Sequence, residues 1–365
     1  MVKSNSNYLH GGAPQSELVR LGLPERPILD FSVNVNFLGP PAIVRERWSD
    51  FLETIQDYPA VEGDGIAAYY REKFGISSEN FLSGNGSTEM IYLVPRVLRF
   101  RSVVVMSPSY HDYERASVLA GARVERLPLL PEKKFSYPSM ERLTDSLKGA
   151  DAIWLGRPNN PTGTMIPKEL LLELAARFEE KLFIVDEAFI QFIDGWEKES
   201  FLTAEPSPNI LVIHSLTKFY ALAGLRLGGI KGAEGVISRL RAAKEPWTVN
   251  GVADRIAPLL LECSHYEQET SAVTAKERAR IFLGLQEQDG VIPFPPSANF
   301  ILCQWTKTGS LDDLLRHLLS NGVYLRDCRN FPGLEDNFFR VGLRTPEEND
   351  QLISLMAAFP DHWNG

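Results

Sequence analysis

The 365-residue chain is 44% hydrophobic and 23% charged, the balance of an ordinary globular protein with room for two domains and a large core. Its net charge of −9 argues against a general nucleic-acid or membrane-surface role, because both call for a basic face. Three cysteines without CxxC spacing argue against a disulfide framework, and the six scattered histidines show no metal-ligand spacing, so no metal site is expected.

Met1–Asn7 is polar, and no apolar run approaches membrane-spanning length, so a cytoplasmic location and no membrane partner are expected. Residues 1–45 read as an irregular arm, marked by Pro24, Pro27, Pro40 and Pro41, that packs on a small domain or on a partner subunit. Residues 46–250 read as a large domain in which short apolar runs alternate with helical patterns. The runs are Val103–Met106, Ala152–Leu155, Leu182–Val185 and Ile210–Ile213. Continuous apolar runs of this length suit strands buried on both faces of a mainly parallel sheet, and Lys168–Glu180 is one of the helices between them. Residues 251–365 read as a smaller α+β domain: helices over roughly 254–287, a strand at Asn299–Trp305, a helix near 311–320 and short strands near 323–326 and 338–343. The fold class is therefore α/β, a central sheet between helices with a smaller α+β domain.

The polar residues with chemical potential follow the strand ends: Tyr110, Asn160, Asp186 and Ser215. Ligands of open α/β sheets bind outside the carboxyl ends of strands, so these positions point at one crevice. Gly84-Asn85-Gly86-Ser87-Thr88-Glu89 precedes a helical pattern. It could bring backbone N–H groups to a phosphate, although taken alone it reads first as a tight turn with a Ser/Thr cap. In Arg157-Pro158-Asn159-Asn160-Pro161-Thr162-Gly163 two prolines bracket two asparagines and can hold an amide in one orientation. Asp186 at a strand end either caps the next segment or pairs with a buried cation. Tyr110 either stacks on a ring or fills the core. Ser215-Leu216-Thr217-Lys218, followed by Arg226, combines an amine able to form a Schiff base with a hydroxyl and a forked cation for a phosphate. A phosphorylated aldehyde, pyridoxal phosphate (PLP), answers that combination. A lysine and an arginine on a loop are otherwise solvated charges.

Asn160, Asp186, Lys218 and Arg226 in this order carry a resemblance to the aspartate-aminotransferase superfamily of PLP-dependent enzymes, fold type I, over nearly the full chain. Within it the chain most resembles the threonine-phosphate decarboxylases of cobalamin synthesis, with the histidinol-phosphate aminotransferases beside them. The closer match lies in His10-Gly11-Gly12, Asp30–Asn36, Asp186–Ile190, Ser215–Tyr220, Pro246–Asn250, Arg326–Leu334 and Phe339-Arg340. The resemblance implies that Lys218 forms the Schiff base, that Gly86, Ser87, Thr88, Ser215 and Arg226 hold the cofactor phosphate, and that Tyr58 reaches that phosphate from a second subunit of a homodimer. It further implies that Asp186 pairs with the pyridinium, that Asn160 donates to the 3′-oxygen, that Tyr110 stacks on the ring, and that His10, Asn34, Arg326 and Arg340 face the substrate. Phe189 follows the decarboxylase pattern where most aminotransferases carry tyrosine, whereas Tyr110 looks more like the aminotransferases. The expected activity is decarboxylation of L-threonine O-3-phosphate. The rivals are an aminotransferase of a phosphorylated substrate such as histidinol phosphate, an L-serine O-phosphate decarboxylase, and a binding protein that has lost the chemistry. The intact Lys218–Asp186 pair argues against the last.

Overall fold

The computed structural model describes residues 11–307 and 309–359. In chain order the strands are β1 (Leu29–Asp30), β2 (Phe81–Asn85), β3 (Ser102–Ser107), β4 (Arg123–Pro128), β5 (Ala152–Gly156), β6 (Leu182–Asp186), β7 (Ile210–Ser215), β8 (Leu227–Lys231), β9 (Val291–Pro293), β10 (Phe300–Trp305), β11 (Val323–Tyr324), β12 (Arg326–Asp327) and β13 (Phe338–Gly342). The central sheet runs in the order β2-β8-β7-β6-β5-β3-β4. β7, β6, β5, β3 and β4 are parallel, and β8 lies antiparallel to both β7 and β2.

The apolar strands are continuous because both faces are covered. Val104 and Met106 of β3, Ile153 and Leu155 of β5, and Phe183 and Val185 of β6 enter one core. Val103, Val105, Ala152, Trp154 and Ile184 enter the other. Alternate side chains of a strand point to opposite faces, so a run apolar at every position needs helices above and below. A third core collects Ile301, Cys303, Val341, Leu314, Leu318 and Leu352 around β10, β13 and the helices Leu311–Ser320 and Pro346–Ala357. Phe31 from the N-terminal segment joins it, and β1 pairs in parallel with β11, Leu29 opposite Val323.

Several elements depart from the sequence expectation. The arm is not wholly irregular: Pro14–Leu21 is a helix, with proline in its first turn, where its missing N–H costs nothing. The helix begun at Lys168 stops at Arg177, short of Glu180. β4 and β8 had no apolar run to announce them. β4 is an edge strand with charged, exposed positions. β8 contains Gly228-Gly229, and a Cβ on Gly228 would lie 2.6 Å from the His214 carbonyl oxygen and 2.8 Å from the Ser87 nitrogen. Glycine is required there by close backbone approach beneath the helix Gly86–Leu98.

Candidate active site

Strand ends of the central sheet and residues of β12 and β13 enclose a cavity of about 310 Å³. Among its walls are Asn34, Ser87, Thr88, Tyr110, Asn160, Asp186, Lys218, Arg226, Arg326 and Arg340. Gly86, Ser215 and Tyr58 are not on its wall. His10 lies outside the described residues, but Gly11 lines the cavity.

Asp186 ends β6 and is buried. Its Oδ2 accepts from the Tyr113 hydroxyl at 2.8 Å and its Oδ1 from the Ala188 amide at 2.9 Å. It thus caps its own turn, as one sequence reading has it, and also lines the cavity. Burial pushes its carboxyl upward, against the pull of these two donors and of Lys218. A cationic ligand is what this carboxylate lacks. Tyr113 is fixed by stacking on Trp154, 5.1 Å between centroids and 6° between planes. Sequence reasoning missed Tyr113. Its only signal was a place one helical turn after Tyr110 at the start of the helix His111–Leu119.

Lys218 sits on the short helix Leu216–Phe219 directly after β7. Burial, then the nearby Arg226 guanidinium, depress its ammonium to about 8, while Asp186 opposes the shift. A lysine so placed holds a free-amine fraction of about a tenth at pH 7, far more than an ordinary lysine, and the free amine is the nucleophile toward a carbonyl.

A helix start, with Ser87, Thr88 and Arg226, forms a cup on the same cavity. The helix Gly86–Leu98 starts with Gly86 at φ 71°; the Gly86 N–H donates to the Arg226 carbonyl at 2.9 Å, and no side chain caps the helix start, an arrangement that suits an anion at the N–H groups that follow. Arg226 arches over this start, donating to the Thr88 hydroxyl at 3.3 Å and to the Ala223 carbonyl at 3.1 Å. A Cβ on Gly86 would stand 2.6 Å from the guanidinium, so glycine there allows the arginine to close the cup. Ser215 is buried at the end of β7, its hydroxyl bonded to the Thr217 hydroxyl at 2.7 Å.

On the opposite wall Asn160 accepts, through Oδ1, a hydrogen bond from Arg340. That contact settles the amide's orientation and leaves Nδ2 as a donor toward the cavity. Arg340 also donates to the Ser32 carbonyl at 2.7 Å, and burial pulls it down to about 10. Arg326, on the same cavity, donates to Asn330 at 3.0 Å and to His111 at 3.4 Å. Among the described residues, the buried Asn34 Oδ1 and Arg340 Nε have no hydrogen-bond partner. Tyr110 presents its ring between these groups, edge-on to Tyr113. Phe189 is buried against Phe300 and brings no hydroxyl to the site. The donor set fits PLP: a cation-seeking carboxylate, an amine with lowered affinity for protons, an anion cup and a fixed amide donor.

The comparisons agree with this geometry. The family model for aminotransferase class I and II matches residues 30–355. Threonine-phosphate decarboxylase of Salmonella typhimurium is 32% identical over 356 residues, 96% of each chain. Histidinol-phosphate aminotransferase of Symbiobacterium thermophilum is 31% identical over 365 residues, 98% of this chain and 97% of the relative. The crystal structure of the histidinol-phosphate aminotransferase of Clostridium acetobutylicum superposes with a TM-score of 0.84 at 28% identity, covering 91% of this chain and 98% of its own. Matched along almost its whole length, and carrying the cofactor site in its own residues, the chain belongs to the aminotransferase class I and II family of PLP-dependent enzymes.

Proposed function

We propose that the protein decarboxylates L-threonine O-3-phosphate, giving (R)-1-amino-2-propanol phosphate and CO₂ for cobalamin synthesis. The observation that carries this reading is the pair Arg326 and Arg340, both buried and both lining the cavity. They are partners across β12 and β13. Two buried guanidiniums on one face repel, and a doubly charged phosphate answers them where a lone carboxylate would not. The near full-length likeness to a threonine-phosphate decarboxylase supports the same substrate class.

Bound PLP supplies an electron sink for the pair left when a Cα bond breaks. Asp186 holds the positive charge on the ring nitrogen. Asn160, aimed by Arg340, donates to the ring oxygen, and with Phe189 no tyrosine hydroxyl shares that task. Ser87, Thr88 and Arg226 hold the cofactor phosphate, with Gly86 and Ser215 shaping the cup. Tyr110 packs on the ring face. His10, Asn34, Arg326 and Arg340 would bind the substrate, and its anchored phosphate would select the Cα–carboxylate bond for cleavage. The carboxylate leaves as CO₂ and Lys218 delivers a proton to the same carbon.

One subunit leaves Tyr58 outside the cavity, 83% exposed and packed against Trp247 at 5.1 Å. Trp48, Leu52, Ile55 and Val61 are exposed beside it in sequence, an apolar strip that a second copy of the chain would cover while bringing Tyr58 to the other cofactor cup. For the division into an arm (1–45), a large domain (46–250) and a small domain (251–365), the β1–β11 pairing supports an arm that packs on the small domain, and the core around Ile301 and Val341 supports a C-terminal unit, although Phe300, Leu302 and Phe338 join the core of the large sheet. Three free, buried cysteines suit a reducing cytoplasm.

The aminotransferase reading draws on Tyr110 and on the likeness to histidinol-phosphate aminotransferases. Incubation with PLP and threonine phosphate, with and without 2-oxoglutarate, decides between them. Release of CO₂ independent of 2-oxoglutarate supports decarboxylation. Glutamate formed from histidinol phosphate, with no CO₂ from threonine phosphate, establishes the transaminase. Serine phosphate in parallel resolves the third alternative.

A further inference from the structure

We propose that His111 is a ligand of the substrate's phosphate, acting with Arg326; this rests on the phosphorylated-substrate reading above. His111 opens its helix immediately after Tyr110, lines the same cavity as Lys218 and Asp186, and is buried. Its ring lies against Phe331, 4.2 Å between centroids and 25° between planes. The Arg326 guanidinium stands over the same phenyl ring at 5.1 Å, so one aromatic platform holds both groups. Arg326 Nη2 is 3.4 Å from His111 Nε2. Arginine can only donate, so in this arrangement Nε2 accepts and the ring proton sits on Nδ1.

The position is right for the far end of the substrate. Arg340 is tied to Asn160 and Ser32, at the wall that meets the cofactor ring, whereas Arg326 is tied to Asn330 and His111. Arg340 Nε, buried and without a partner among the described residues, is a further open donor in this cavity. A phosphate monoester dianion offers only acceptors. When it arrives at Arg326 it takes over the guanidinium's donors. Nε2 then loses its incoming hydrogen bond, binds a proton and donates it to a phosphate oxygen. The helix start at His111 adds to the positive potential. The charged and titratable groups facing the imidazole are Arg326 from β12, Glu114 on its own helix with Arg126 of β4 bonded to it, and Tyr110. Across the cavity stand Asp186, Lys218, Arg226 and Arg340.

The test uses the PLP-loaded enzyme and two variants. His111→Phe keeps a ring on Phe331 without a polar atom, and His111→Gln keeps a neutral donor. For threonine phosphate, KM should rise about tenfold in His111→Phe and less in His111→Gln, with the rise in KM exceeding any fall in kcat. If the Phe variant fails to fold, the Gln variant carries the test. Inorganic sulfate, whose charge does not change in this range, is titrated calorimetrically between about pH 5.5 and 7.5. Wild-type affinity should weaken severalfold as pH rises and the imidazolium is lost, and His111→Gln should bind weakly at every pH. A pH-independent or absent sulfate affinity in the wild type overturns the proposal. So does a pH dependence that survives in His111→Gln, or a KM in His111→Phe within twofold of the wild type. If threonine phosphate is not decarboxylated at all, the activity reading fails instead. Histidinol phosphate, also a monoester, then serves for KM, and the sulfate arm stands unchanged.

Discussion

Arg326 and Arg340 face each other as register partners on antiparallel strands β12 and β13, and both are buried. Directly opposed like charges destabilise a sheet, and burial adds to the cost. The arrangement is therefore tuned to an anion. Charge removal with volume kept, as in Arg326→Met, should leave the ligand-free protein melting no lower than wild type while kcat/KM for threonine phosphate falls at least tenfold, roughly 1.5–3 kcal/mol for one charge-assisted contact. A large loss of melting temperature together with unchanged kinetics would refute the assignment.

Arg340 differs from its partner because it also aims Asn160. Arg340→Met should reduce kcat/KM at least as much and in addition shift the absorbance of bound PLP, since the amide loses its fixed orientation toward the ring oxygen. Arg326→Met should leave that spectrum where it is. Equal spectra for the two variants would detach Asn160 from Arg340.

The Tyr113 hydroxyl is one of two donors that favour the charged form of Asp186 against burial. Tyr113→Phe removes it, so the carboxyl moves further up and pairs less well with a pyridinium. PLP should bind about five- to thirtyfold more weakly, on the order of 1–2 kcal/mol, measured by equilibrium dialysis. Unchanged affinity would mean that the hydroxyl is dispensable.

Lys218 titrates near 8 in the cofactor-free protein instead of at its ordinary value. The neutral amine is the reactive form. Its fraction therefore grows as pH rises through 8 and is nearly complete one unit above. The rate at which apoprotein attaches PLP, read by borohydride trapping and peptide mass, should rise over that window and then level. A rate still climbing steeply toward pH 10 contradicts the lowered value. Lys218→Ala should trap nothing and lose turnover.

Tyr58 and Lys218 should complement across subunits. Mixed Tyr58→Phe and Lys218→Ala chains should recover part of the activity through hybrids in which one site keeps both native residues. Sedimentation of the active enzyme as a monomer would exclude that arrangement.

Asp186, Lys218, Asn160 and the glycine-led turn at Gly86 were legible in the sequence because each is local: an apolar run ends and a polar residue follows. The parallel core strands were legible for the same reason, since burial on both faces leaves an unbroken apolar run. β8 was not, because its glycines answer to the His214 and Ser87 backbones, which are distant in sequence. The order of Tyr110, His111 and Tyr113 could be read, but not that Tyr113 turns to Asp186 while His111 turns to Phe331 and Arg326. The sequence by itself determined the cofactor chemistry, because residue types at strand ends suggest it and the family resemblance that their order carries implies it. Only the tertiary structure decided which guanidinium meets Asn160 and which meets His111. Those contacts depend on the register of β12 against β13 and on how that sheet packs over the strand ends, and neither is encoded in any local run of residues.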